Sequence, residues 1–110
     1  MGNGETACPV AEAAKLLGDR WTLVLLRDLA GGPLRFSALQ QSAAGISPAV
    51  LSARLKELEE HHIATRTSYA ETPPRVEYAL TERGRDALPV IAALRTYGEK
   101  WLLPSERAAR

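Results

Sequence analysis

One cysteine occurs in the 110 residues, so no disulfide framework can form within a chain, which fits a reducing compartment. Long apolar runs are missing too. No segment approaches the roughly 20 residues that cross a bilayer, and there is no signal-peptide core. A cytoplasmic protein with no membrane partner is therefore expected. The start Met1-Gly2-Asn3-Gly4-Glu5-Thr6 fits a myristoylation pattern, but no second membrane signal accompanies it. Chemistry-bearing patterns are equally scarce: there is no zinc-protease histidine pair, no glycine-rich phosphate loop and no CxxC. His61 and His62 are adjacent, so on a helix they cannot serve one site. No enzyme, metal or cofactor is expected. A thiol peroxidase using Cys8 is the only chemistry that can be assembled, and nothing identifiable would activate it.

Acids are absent from one long stretch. Between Asp28 and Glu57 there is none, while Arg35, Arg54 and Lys56 are present, and Glu57, Glu59 and Glu60 then arrive together. The net charge of +1 thus hides a neutral-to-basic segment ending in an acidic one. That polarity suits a helix whose first half faces phosphate, and equally an ordinary solvated helix. With 45% hydrophobic and 25% charged residues, the chain reads as one domain spanning residues 1–110, with residues 1–7 as a flexible tail.

The order of elements is more informative. Val10, Ala13, Ala14 and Leu17 fall at helical spacing after Cys8-Pro9, with Gly18 expected as a left-handed stop. Asp19 caps a second helix carrying Trp21, Leu25 and Leu29, ended by Gly31-Gly32-Pro33. A short extended piece from Leu34 to Phe36 leads into a brief third helix, Ser37 to about Ser42, closed by Gly45. Ser47 caps a fourth helix with Pro48 at its first position and Leu51, Leu55 and Leu58 as its buried stripe.

Two alternating runs follow, Ile63 to Tyr69 and Arg75 to Leu80, each expected to place one side on the core, joined by Ala70 to Pro74. The two prolines predict a stiff turn holding Arg75 beside the fourth helix. Thr81 caps a last helical region with a kink or break at Pro89. The expected fold is mainly α with a small β-hairpin wing: a winged helix-turn-helix. A lone helix fits the major groove of duplex DNA, and a hairpin beside it reaches the backbone or minor groove. Residues 82–103 form the expected dimerisation region. Ile91, Leu94, Tyr97, Gly98, Trp101 and Leu102 make an apolar face larger than the domain needs, read as a homodimer interface with Val10 and Leu17 of the first helix.

These residues also carry a family resemblance. Cys8-Pro9-Val10, Gly18-Asp19-Arg20-Trp21-Thr22, Arg35-Phe36-Ser37, Gly45-Ile46-Ser47-Pro48, Leu51 through Glu59, and Pro73 through Tyr78 with Leu80-Thr81 together resemble the HxlR-type regulators, a MarR-like branch of winged-helix transcription factors. The resemblance spans Cys8 to Trp101. It implies a homodimeric regulator, usually a repressor, that binds an inverted-repeat operator in double-stranded DNA through this unit. Two departures are visible. Ala49 stands where members often have lysine, and His62 where a glycine often ends the recognition helix. A winged-helix module that binds protein, with weak or no DNA affinity, is the alternative.

Roles follow from placement. Ser37 and Ser47 stand at helix starts, as caps, phosphate ligands or both. Pro48, Ala49, Ser52, Ala53 and Lys56 lie off the leucine stripe and face outward. Arg54 is the candidate for a base or phosphate contact, set against an ion pair with Glu57 or Glu59. Arg35 precedes the third helix and is assigned to the same DNA surface. Arg75 is the candidate for a minor-groove or backbone contact, set against a cross-strand pair with an acid. Trp21, Phe36, Tyr78 and Trp101 sit on apolar stripes, as core or interface residues. Cys8 lies at a helix N-terminus, a setting that favours reactive thiolate. The resemblance implies a sensor of oxidants or electrophiles there; the competing role is a small space-filler near the interface.

Overall fold

Proline starts and polar caps set the helices. In a computed structural model describing residues 7–103, α1 spans Pro9–Leu17 and α2 spans Arg20–Leu29. The short strand β1, Leu34–Arg35, leads into α3, Phe36–Ser42, and then α4, Pro48–Glu60. Strands β2, Ala64–Tyr69, and β3, Arg75–Leu80, precede α5, Glu82–Arg85, and α6, Leu88–Trp101. The expectations about residues 1–6, the tail and the myristoylation pattern, lie outside the described residues.

Three expected caps are present. Asp19 accepts from the amides of Trp21 and Thr22, Ser47 from that of Val50, and Thr81 from that of Gly84. Pro89 falls in the first turn of α6, after the break that separates α5. It lacks an amide hydrogen where a helix has no partner for one. Gly18 differs from expectation. Its φ of −79° is not left-handed, and glycine is required instead because a Cβ there would collide with the Ala14 carbonyl oxygen. Gly45 does take positive φ, +94°, in the turn between α3 and α4.

The fourth helix ends on His62, whose φ of 59° is left-handed. Its amide donates to the Glu59 carbonyl at 3.0 Å, and that of Ile63 to the Leu58 carbonyl at 2.8 Å, the paired bonds of a Schellman termination.

The wing is larger than a hairpin. β1 joins β3, pairing Leu34 with Tyr78 and Arg35 with Glu77, so the antiparallel sheet has the order β1-β3-β2. The extended piece before α3 thereby fastens the wing to the helix-turn-helix. β3 places Tyr78 and Leu80 on the core as expected, but β2 is buried only at Ala64 and exposed from Thr65 on. Its side chains past Ala64 extend beyond the body, so alternation there has no core to face.

The core joins α2, α3, α4 and the base of the sheet. Leu25, Leu26, Leu29, Leu39, Leu51, Leu55 and Leu58 are fully enclosed, each contributing roughly 2 kcal/mol by leaving water. α1 and α6 contain no buried residue. Among the described residues no helix is long and apolar enough to cross a membrane, and no three metal-ligating side chains cluster.

Candidate nucleic-acid interface

The fourth helix presents two unlike sides. Leu51, Leu55 and Leu58 are buried at no more than 1% exposure, whereas Pro48, Ala49, Ser52, Ala53 and Lys56 are all exposed. The outward side is slim and free of acids until Glu57. Ser47 stands at the head of this rod, its Oγ accepting from Val50 N at 3.1 Å. That bond uses a lone pair and leaves the hydroxyl hydrogen free to donate. Ser37 is exposed but is not a cap: Phe36 takes the first helical position, so the cap position falls to Arg35, which makes no side-chain cap bond. Arg35 itself is exposed.

Arg54 departs from the outward group. Its Nε donates to Asp19 Oδ2 at 2.9 Å, and its Nη1 lies 3.4 Å from Glu57 Oε1. The same Asp19 oxygen accepts from the amides of Trp21 and Thr22, both at 3.0 Å. In this structure Arg54 thus takes the competing role of an internal ion pair, and its main partner lies 35 residues away rather than on the same helix. The cause is position: Arg54 stands three residues after Leu51 and four before Leu58, beside the buried stripe, so its side chain lies against the body.

Partial burial pushes the Asp19 carboxyl upward, but the Thr22 amide bond, the Arg54 bond and charge, and the Trp21 amide bond outweigh it, and the group titrates below its ordinary value. Arg54 is correspondingly raised by its bond to Asp19 and by that charge, against desolvation. A cleft of about 240 Å³ adjoins the pair, lined by Lys15, Thr22, Glu57 and His61 among others.

Arg75 is also engaged within the chain. Its Nη2 meets Glu71 Oε2 at 2.7 Å, its Nη1 meets Glu77 Oε2 at 3.0 Å, and the guanidinium lies 4.0 Å from the Tyr69 ring centroid. The Glu71 bond is the largest influence raising its pKa, partly opposed by desolvation, with the Glu71 and Glu77 charges adding. Here too Arg75 takes the competing role, a clasp that closes the wing turn, because the turn brings Glu71 back beside the first residue of β3. Lys56, Arg35 and Arg66 take part in no ion pair among the described residues. Arg66, exposed on β2, was passed over in the sequence; its signal was a lone cation on a strand continuing past the core.

Cys8 is exposed and unpaired at the N-cap of α1, its carbonyl accepting from Glu12 N at 2.9 Å. It is not a buried space-filler within the subunit. Nearby, α1 and α6 expose a broad apolar face: Val10 is 76% exposed, Tyr97 60%, Trp101 65% and Leu102 73%, with Leu94 and Val90 alongside. Leu17 and Ile91 differ, being partly buried against their own subunit's core. Val10, Ala13, Leu17, Val90 and Leu94 line an apolar groove of about 350 Å³. Trp21 and Phe36 pack against the core and Tyr78 lies within it, whereas Trp101 does neither.

Comparison with known proteins agrees with this architecture. Residues 16–106 match the HxlR-like helix-turn-helix family. An uncharacterised HTH-type transcriptional regulator of Synechocystis is 42% identical over 95 residues, covering 86% of this chain and 70% of that protein. The HTH-type transcriptional regulator YodB of Bacillus subtilis is 36% identical over 104 residues, covering 94% and 93%. Among solved structures, the redox regulator HypR in its oxidized form superposes with a TM-score of 0.81 at 33% identity, covering 84% of this chain and 96% of that one. Reduced YodB superposes with a TM-score of 0.74 at 36% identity, covering 90% and 98%. The chain belongs to the HxlR-like helix-turn-helix family and is a transcriptional regulator of the HxlR and MarR type.

Proposed function

We propose that the protein is a homodimeric, sequence-specific DNA-binding regulator, a repressor that responds to oxidants or electrophiles through Cys8. The observation that carries the DNA reading is the outer side of α4: Pro48, Ala49, Ser52, Ala53 and Lys56 stand exposed, small and free of acids, on a helix fixed from behind by three buried leucines. Small side chains let a helix backbone approach the floor of the major groove, while Lys56, Arg35 and Arg66 supply phosphate contacts. The exposed faces of α1 and α6 support pairing with a second copy, since so much apolar surface is unusual on a monomer. A two-fold pair would read an inverted repeat. The free, exposed Cys8 supports the redox reading, as do the redox regulator HypR and diamide-treated YodB among the similar structures.

In such a switch, two Cys8 thiols across the dimer would form one S–S bond. Their two protons and two electrons would pass to a hydroperoxide, leaving an alcohol and water. Alkylation, or a mixed disulfide with a small thiol, would use the same sulfur.

The test is binding of a duplex, selected from a random pool, at a series of salt concentrations. DNA binding requires log affinity to fall linearly with log salt at a slope of about −0.9 per phosphate neutralised. A flat dependence would favour a protein-binding module instead. Sedimentation of Trp101→Glu against the parent chain checks the dimer, and loss of the oxidant response in Cys8→Ser checks the sensor.

A further inference from the structure

We propose that Asp19 and Arg54 form the joint that sets the angle of the recognition helix on the body, so that Arg54 acts on DNA as a positioning residue. The inference rests on the reading of α4 as the groove-entering helix. Three observations carry it. The contact is directional: a single oxygen, Asp19 Oδ2, accepts from Arg54 Nε at 2.9 Å and from the amides of Trp21 and Thr22 at 3.0 Å. The guanidinium is therefore fastened to the first turn of α2 through the group that caps it. Otherwise the two helices share an apolar core that includes Leu25, Leu26 and Leu29 of α2 and Leu51, Leu55 and Leu58 of α4, which holds them together without a directional bond. Finally, Asp19 sits at a fixed corner. Gly18 before it approaches the Ala14 carbonyl too closely for any other residue, so the chain turns tightly from the end of α1 into the cap of α2.

One polar contact thus links the cap of α2, directly after the Gly18 turn that ends α1 on the proposed dimer face, to the middle of α4. With Asp19 on one side and Glu57 on the other, Arg54 is neutralised within the chain and releases few counterions on meeting phosphate. Its influence on DNA is geometric. The joint fixes the relative placement of the two recognition helices in a dimer, and so the half-site spacing that the dimer accepts.

The test uses the full chain and a duplex selected by the parent protein, with variants of that duplex in which the half-sites are one base pair closer or further apart. Asp19→Asn keeps an acceptor for the α2 amides while removing the charge; Arg54→Gln removes the cation. Each is expected to reduce affinity about tenfold with an unchanged salt slope. Each is also expected to weaken the preference for the parent spacing, so that shifted half-sites are tolerated better, and the double variant to be no worse than either single one. Circular dichroism and sedimentation establish that the variants fold and pair. The joint is overturned if Arg54→Gln lowers the salt slope by about one while Asp19→Asn binds like the parent, since Arg54 would then be a phosphate ligand. It is likewise overturned if spacing preference is untouched in both. A parent chain showing no salt-dependent duplex binding would instead remove the DNA reading on which the joint depends.

Discussion

Thr81 Oγ1 donates to the carbonyl of His62 at 2.6 Å while accepting from Gly84 N at 3.0 Å, so one hydroxyl ties the end of α4 to the start of α5. His62 holds its place in this junction at φ 59°, a conformation that disfavours a side chain. His62→Gly removes that strain and is expected to stabilise the fold by about 1 kcal/mol, visible as a higher urea midpoint with an unchanged denaturant slope. An unchanged or lower midpoint would mean that the imidazole compensates for its backbone.

Gly84 lies on the other side of the same junction. A Cβ added there would overlap the Ile63 carbonyl oxygen and press on Leu80 at 3.1 Å. Because the obstacle is backbone, Gly84→Ala is expected to lose about 2 kcal/mol or more, and thermal unfolding reads this directly.

Asp19 makes stability depend on acid. Its folded-state pKa is depressed, so its contribution is complete above about pH 4 and disappears as pH falls through the folded value. Asp19→Asn should therefore be less stable than the parent chain at pH 7 and approach it as pH falls through the lowered folded-state value. The gap stays below roughly 1 kcal/mol because the pair is partly exposed and screened. Urea midpoints at pH 3, 5 and 7 measure it, and a gap that widens toward acid would contradict the assignment.

The cations of α4 and the wing should separate by function. Arg66→Ala is expected to lower the salt slope of DNA binding by about one, and Lys56→Ala likewise, since neither takes part in an ion pair among the described residues. Arg75→Ala breaks two ion pairs and the stacking on Tyr69, so it should loosen the wing turn and raise amide exchange there while leaving the slope close to that of the parent.

Local rules carried much of this architecture. Asp19, Ser47 and Thr81 announced three helix starts, and the Leu51, Leu55, Leu58 spacing marked which side of α4 is buried. What escaped were contacts between residues distant in sequence. Nothing near Arg54 points to Asp19, although its spacing from Leu51 and Leu58 already placed it at the stripe's edge. β1 was visible only as an extended piece because a two-residue strand has no periodicity. Arg75 was weighed against an acid partner, but Glu71 becomes that partner only once the turn folds back, and Ser37 lost its cap role to a one-residue shift of the helix start.

The bare outer stretch of β2 separates evolvability from folding. From Thr65 to Tyr69 nothing on that ribbon is anchored in the interior, so insertions or swaps at its tip leave the seven enclosed leucines undisturbed. On the proposed DNA reading, the flap can therefore be recut for a different duplex at little thermal cost to the body that carries it.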